Sequence, residues 1–214
     1  MSSTTTFTLY LVRHGQTDWN VRDVCAGQTD IPLNDRGHRE ARAIAGYFAD
    51  RQLTEIHGSD LERARDTAAE VCQQKQLSYQ ADQRLREINY GILEGTNSRE
   101  WDQTFPKLMK TWSYASFEQG PPEGESRESL IHRCRTFLEE LVERKPGGDV
   151  ALFTHGGNVK AILTYVILRE ANLPINRSLG MIAVDNGSIT TLRWKKTRWQ
   201  IKQVNHLPPV EDCP

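Results

Sequence analysis

Arg13-His14-Gly15, His155-Gly156-Gly157, Arg63 and Glu87 have residue types that could do chemistry on an anion. The stretch LYLVRHGQTDWN, residues 9 to 20, ends a run of β-formers in Arg13 and His14 and then breaks at glycine. About 140 residues later, VALFTHGG ends a second apolar run in the same His-Gly step. An imidazole can attack or relay a proton, a guanidinium keeps its charge at any physiological pH, and a carboxyl can give or take a proton. Arg63, in SDLERARDTA, falls in the first turn of an expected helix. A cation there opposes the helix dipole, which makes sense where an anion shares that end. Glu87 immediately precedes a loop carrying Gly91 and Gly95. Taken alone, LYLVRHG reads equally well as a surface strand end and as an anion site.

The elements that must position these groups follow from periodicity. FTLYLV reads as a buried strand. Asn34 is the expected cap of a helix whose Ala41, Ile44, Ala45 and Phe48 share one face. Glu55 to Gly58 reads as a short strand, and Ser59-Asp60-Leu61-Glu62 has a capping-box pattern ahead of the helix that carries Arg63. Another short extended piece is expected by Asp82. Residues 88–125 form a lid-like excursion rich in aromatics (Trp101, Phe105, Trp112, Tyr114, Phe117), with its own helix expected over roughly 98–111. Trp101, Phe105, Leu108 and Trp112 repeat at helical spacing, the pattern of a helix packing on its own protein. Ser126 is expected to cap the next helix, and DVALFT to be a strand followed by a helix to about Leu168. MIAVD, SITTLRW and RWQIKQV read as strands, with Trp194 and Trp199 packing across the turn between the last two. The tail LPPVEDCP is expected to be loosely held. Strand and helix alternate, which predicts an α/β fold, a three-layer sandwich with a mostly parallel central sheet and helices on both faces. In such a sheet ligands bind at the carboxyl ends of the strands, so His14 and His155 meet if their strands are neighbours.

With 214 residues the chain suits one domain, 1–214, with 88–125 as an excursion too small to bury its own core. The charged fraction of 26 % nearly cancels to a net charge of −1, so nothing in the composition favours nucleic acid or an anionic membrane as partner. The four cysteines Cys25, Cys72, Cys134 and Cys213 are scattered, the pattern of a reduced protein. MSSTTT has no basic n-region, and VKAILTYVIL is too short to span a membrane; the expected location is cytoplasmic. The remaining histidines, His38, His57, His132 and His206, show no metal-ligand spacing, so no metal and no cofactor are expected. The basic-aromatic turn WKKTRW reads as a solvated hairpin in preference to a nucleic-acid patch.

The ordered set LVRHGQTDWN, AGQTDIPLNDRG, SDLERARDTA, LREINYGILEG, PEGES and FTHGG resembles the histidine phosphatase superfamily, the phosphoglycerate mutase-like or RHG family, and covers nearly the whole chain. The resemblance implies that His14 is a nucleophile that becomes phosphohistidine, that Arg13, Arg63 and His155 hold the phosphate, and that Glu87 is the proton donor. It implies further substrate contacts from Asn20 and Gly27, with Gly156 beside the ligand. Gln16 stands where many members have Glu. Mutases of the family resemble E-R-H-Y-G where this chain has Arg86 to Gly91, and they need extra cations for a second anionic group; the excursion offers Arg99, Lys107 and Lys110 without an adjacent pair. The expected activity is therefore metal-independent hydrolysis of small phosphomonoesters, with a small phosphorylated metabolite as the binding partner. The alternatives are a cofactor-dependent phosphoglycerate mutase and a catalytically silent scaffold. A homodimer stays open as an assembly.

Overall fold

The computed structural model describes residues 6–112, 116–177 and 181–210; Tyr114 and Cys213 lie outside them. In chain order the elements are β1 (Phe7–Arg13), α1 (Asp18–Val21), α2 (Asp35–Phe48), β2 (Glu55–Gly58), α3 (Glu62–Lys75), β3 (Tyr79–Ala81), α4 (Trp101–Thr104), α5 (Pro106–Thr111), α6 (Arg127–Arg144), β4 (Val150–Thr154), α7 (Gly156–Glu170), β5 (Ile189–Lys195) and β6 (Arg198–His206). The six strands form one sheet in the order β3-β2-β4-β1-β5-β6. The first four are parallel and β5 runs against both of its neighbours.

Side chains alternate across a strand, and β1 and β4 are buried on both faces, so their apolar runs are continuous. Phe7, Leu9, Leu11, Val150 and Leu152 pack on the side of α6 and α7. Tyr10, Val12, Ala151 and Phe153 pack on the side of Ile44 and Phe48 of α2 and Ala68 and Val71 of α3. The result is the expected α/β sandwich. Trp194 and Trp199 face each other across the β5–β6 hairpin with ring centroids 5.1 Å apart. Among the described residues no helix is long and apolar enough to cross a membrane.

Four expectations need correction. The capping box at Ser59–Glu62 does not form: α3 starts at Glu62 with Leu61 as an N-cap that makes no side-chain bond. Ser59 Oγ accepts from Leu61 N, and the Glu62 N–H is taken by Asp30 Oδ1 at 2.8 Å, a cap supplied from a distant loop. The helix expected over 98–111 is broken. Pro106 starts α5 and cannot donate to the preceding turn, so Phe105 leaves helical geometry at φ −125°, ψ 52°. Its aromatic stripe nevertheless packs on the protein itself, where Trp101 and Trp112 join Cys25 and Leu93 in a separate apolar cluster. MIAVD is no strand. Val184 offers its carbonyl to Arg13, and Asp185 N–H goes to Asn205 Oδ1. The tail is held as far as Val210: Pro208 is buried, and residues 207–210 line a cleft beside Gln16 and Asp185.

The loop after β1 owes its position to a close backbone approach. A Cβ on Gly37, in the first turn of α2, would lie 2.1 Å from the Gln16 carbonyl oxygen, whereas one on Gly46 of the same helix would meet nothing within 4 Å. Alanine is the better helix former by about 1 kcal/mol, so propensity favours Gly→Ala equally at both sites. Sterics separate them. Gly46→Ala is expected to stabilise by about 0.5–1 kcal/mol. Gly37→Ala should destabilise by about 1–3 kcal/mol and lower activity, because the His14 loop must move away. Urea melts of the two variants beside the parent check the sign at each position.

Candidate active site

The four parallel strands each deliver one group to the same end of the sheet. β1 ends in Arg13 and is followed by His14; β4 ends in Thr154 and is followed by His155. In the β1–β4 ladder Arg13 pairs with Thr154, so the two histidines leave the sheet level with each other. Their ring centroids are 5.2 Å apart. β2 leads through Ser59–Leu61 into α3 and Arg63, and β3 leads through a single 3₁₀ turn, Gln83–Leu85, to Glu87. His14, Arg13, Arg63, Glu87, Asn20 and Gly27 all line one cavity of about 420 Å³. His155 lies behind His14, and Gly156 opens α7 against Arg13, where a Cβ would sit 3.4 Å from Nε.

His14 is buried at 4 % exposure, and its Nδ1 is 2.7 Å from the Gly15 carbonyl oxygen. A carbonyl only accepts, so Nδ1 carries the proton and Nε2 keeps its lone pair. Burial holds the His14 pKa well below its ordinary 6.5, and the Arg63 and Arg13 guanidiniums press it the same way. The ring is thus a neutral base of one defined tautomer. The backbone around it is pinned: Gly15 N–H donates to Thr67 Oγ1 at 3.0 Å, and Gln16 N–H donates to Glu40 Oε2 at 2.7 Å.

Both cations are fixed by backbone carbonyls. Arg13 Nη1 donates to Val184 O at 2.6 Å. Arg63, 1 % exposed, donates from Nη2 to Gly27 O at 2.7 Å and from Nη1 to Thr29 O at 2.9 Å. Burial pushes its pKa down to about 10, which leaves it charged at neutral pH. Gly27 adopts φ +49°, and a Cβ there would run into Glu94 Oε1 at 1.9 Å. Glu94 in turn accepts from Gln28 N, Thr29 N, Thr29 Oγ1 and Tyr90 N, all within 3.0 Å, and ties the two loops together. Four buried nitrogens have no hydrogen-bond partner among the described residues: Arg13 Nε, Arg63 Nε, and Nδ1 and Nε2 of His155. The His155 pKa is also well below 6.5, first through burial and then through Arg63.

Glu87 accepts from two backbone N–H groups, Ile88 N on Oε1 at 2.9 Å and Gly157 N on Oε2 at 3.1 Å. Its own carbonyl accepts from Arg133 Nη2 at 3.0 Å, and Arg133 is paired through Nε with Glu125 Oε1 at 2.7 Å. Asn20 takes three donors on Oδ1, from Thr17 N, Thr17 Oγ1 and Asn186 Nδ2, which leaves its Nδ2 for the cavity.

Sequence reasoning missed Asn186. Its Nδ2 also donates to the His14 carbonyl at 3.2 Å, and it lines the cavity. The Asn186-Gly187 dipeptide is a turn signal that could have drawn attention. It also missed Arg133 and Glu125, for which a mid-helix arginine and a loop glutamate give no local sign.

Comparison with known proteins shows the family and the fold. Residues 9–207 match the histidine phosphatase superfamily, branch 1. A glucosyl-3-phosphoglycerate phosphatase of Mycobacterium tuberculosis is 32 % identical over 208 residues, covering 89 % of this chain and 93 % of the relative. A probable phosphoglycerate mutase, GpmB, of Escherichia coli is 34 % identical over 202 residues, covering 93 % and 94 %. The solved structure of a mycobacterial glucosyl-3-phosphoglycerate phosphatase superposes with a TM-score of 0.81 at 31 % identity, over 94 % of this chain and 99 % of that one. A family match over residues 9–207 makes this chain a member of the histidine phosphatase superfamily.

Proposed function

We propose that the protein is a phosphatase that hydrolyses small-molecule phosphomonoesters through a phosphohistidine on His14. The observation that carries this reading is the neutral His14 imidazole, its proton held on Nδ1 by Gly15 and its Nε2 in the cavity that Arg13 and Arg63 line. Phosphatase names among the relatives support it.

The phosphate of a monoester is drawn to Arg13 and Arg63, whose unpartnered Nε–H groups suit its oxygens. His14 Nε2 attacks phosphorus; the P–N bond forms as the bond to the alcohol oxygen breaks. Glu87 gives its proton to the departing alkoxide. A water then attacks the phosphohistidine, Glu87 takes a proton from it, and the P–N electron pair returns to Nε2. The arginines balance the charge that spreads over the phosphoryl oxygens during both transfers, the dominant source of rate in this chemistry, and neutral His155 has a ring N–H, without a partner among the described residues, to offer them. Asn20 Nδ2 and the Gly27 loop are further contacts. The chain works as one domain in which Tyr90 and Ser98 of the 88–125 excursion line the outer part of the site. The free thiols Cys25, Cys72 and Cys134 support a reducing, cytoplasmic setting. A phosphoglycerate mutase must retain a second anionic group; among the described residues lining the cavity, Arg13 and Arg63 are the cations, which favours hydrolysis over isomerisation.

With p-nitrophenyl phosphate as substrate, wild type should release free phosphate and yield an acid-labile phosphoenzyme on quenching. His14→Ala should lose both; a variant with near-full activity would refute the mechanism. Glu87→Gln should lower kcat by ~10²–10⁴-fold for alkyl esters and by less for p-nitrophenyl phosphate, whose leaving group needs no proton. The depressed histidine pKa values set the sign of two pH effects. Nε2 is already unprotonated at pH 6.5, so the acid limb of kcat/KM, corrected for substrate ionisation, should fall below 6.5. Below 6.5 the unfolded chain binds protons that the folded one refuses, so stability declines as pH falls, by up to about 1.4 kcal/mol per pH unit for each of the two histidines. Thermal melts between pH 7.5 and 5.5 should show this decline, and His155→Gln should make it shallower.

A further inference from the structure

We propose that the outer half of the cavity receives the alcohol half of the ester as an uncharged, hydroxyl-bearing group, a sugar or polyol, and discriminates against a second anion. The inference rests on the phosphatase reading and concerns what lies beyond the phosphate.

The lining cations are both at the inner end, next to His14, and both are tied down by backbone carbonyls. Among the described lining residues there is no lysine and no third arginine. The outer wall is built differently. The segment around Asp23–Cys25 is stitched to residues 95–98 by backbone bonds: Ser98 N to Asp23 O, Cys25 N to Thr96 O and Gly95 N to Cys25 O, all within 2.9 Å. This brings Asp23, Ser98, Trp19 and Tyr90 into the lining. Arg99, next to Ser98 in the chain, is paired with this wall, its Nη2 at 2.7 Å from Asp23 Oδ2. An arriving carboxylate or second phosphate would face the negative charge of Asp23 and would have to share Arg99 with it. A hydroxyl meets no such penalty and can donate to Asp23 Oδ1. Trp19 and Tyr90 add flat apolar surface suited to the C–H face of a sugar ring. The cavity of about 420 Å³ leaves room for such a group beside the phosphate.

A matched pair of esters tests this on the full-length protein. Glycerol 3-phosphate and 3-phosphoglycerate share a three-carbon frame and differ in a terminal hydroxymethyl against a carboxylate. Wild type should favour glycerol 3-phosphate in kcat/KM by about tenfold or more at low ionic strength. Asp23→Asn, which releases Arg99 and removes the repulsive charge, should move the ratio about tenfold toward 3-phosphoglycerate, and added salt should shrink that movement. Arg99→Gln should move it the other way. Equal or better hydrolysis of 3-phosphoglycerate by wild type overturns the inference while leaving the phosphatase reading intact if p-nitrophenyl phosphate is still cleaved. An unchanged ratio in Asp23→Asn overturns the assignment to this wall. Failure to release phosphate from any of the three esters removes the phosphatase reading, and this inference with it.

Discussion

Taking Arg13 and Arg63 out of water costs several kcal/mol per charge unless other groups replace the lost hydration. Much of the irregular structure at the carboxyl end of the sheet supplies that replacement. The segment before β5 leaves strand geometry, and its Val184 carbonyl bonds Arg13. The loop at Gly27 turns through a positive φ so that two carbonyls, Gly27 O and Thr29 O, reach Arg63. Glu94 then collects the N–H groups that this loop turns the other way. Burial first, and then these same cations, bias both imidazoles toward the neutral form.

The excursion at 88–125 plays two parts that sequence alone could not separate. Trp101 and Trp112 pack with Cys25 and Leu93 in a small cluster apart from the two main cores, which anchors the segment. Tyr90 and Ser98, from the same segment, line the cavity. Anchoring and lining are therefore coupled: the apolar cluster holds the segment from which Tyr90 and Ser98 line the cavity. Glu125 at the far end of the segment pairs with Arg133 of α6, which grips the Glu87 carbonyl, so Glu87 is braced from both the excursion and a core helix.

The residues most legible in the sequence were those at element ends. His14 and His155 follow apolar runs broken by glycine, Arg63 sits in a helix's first turn, and Glu87 precedes a glycine-containing loop; each pattern is local and survives without knowledge of the fold. Errors arose where a distant group decided a local outcome. Ser59 looked like a helix cap, yet Asp30 takes that N–H. MIAVD had strand composition, yet its backbone groups are drawn to Arg13 and Asn205. Pro106 alone should have divided the expected helix, since its effect is local.

By itself the sequence determined the layers, the order of strands and helices, and the residue types available to handle an anion, because hydrophobic period and glycine breaks act over a few residues. Only the tertiary structure decided that β1 and β4 pair in the register that sets the two histidines level, and that Asn186, Glu94 and Arg133 brace the site. Those outcomes depend on hydrogen bonds between residues tens to well over a hundred positions apart, and no local pattern in a chain encodes which distant carbonyl a buried donor will find.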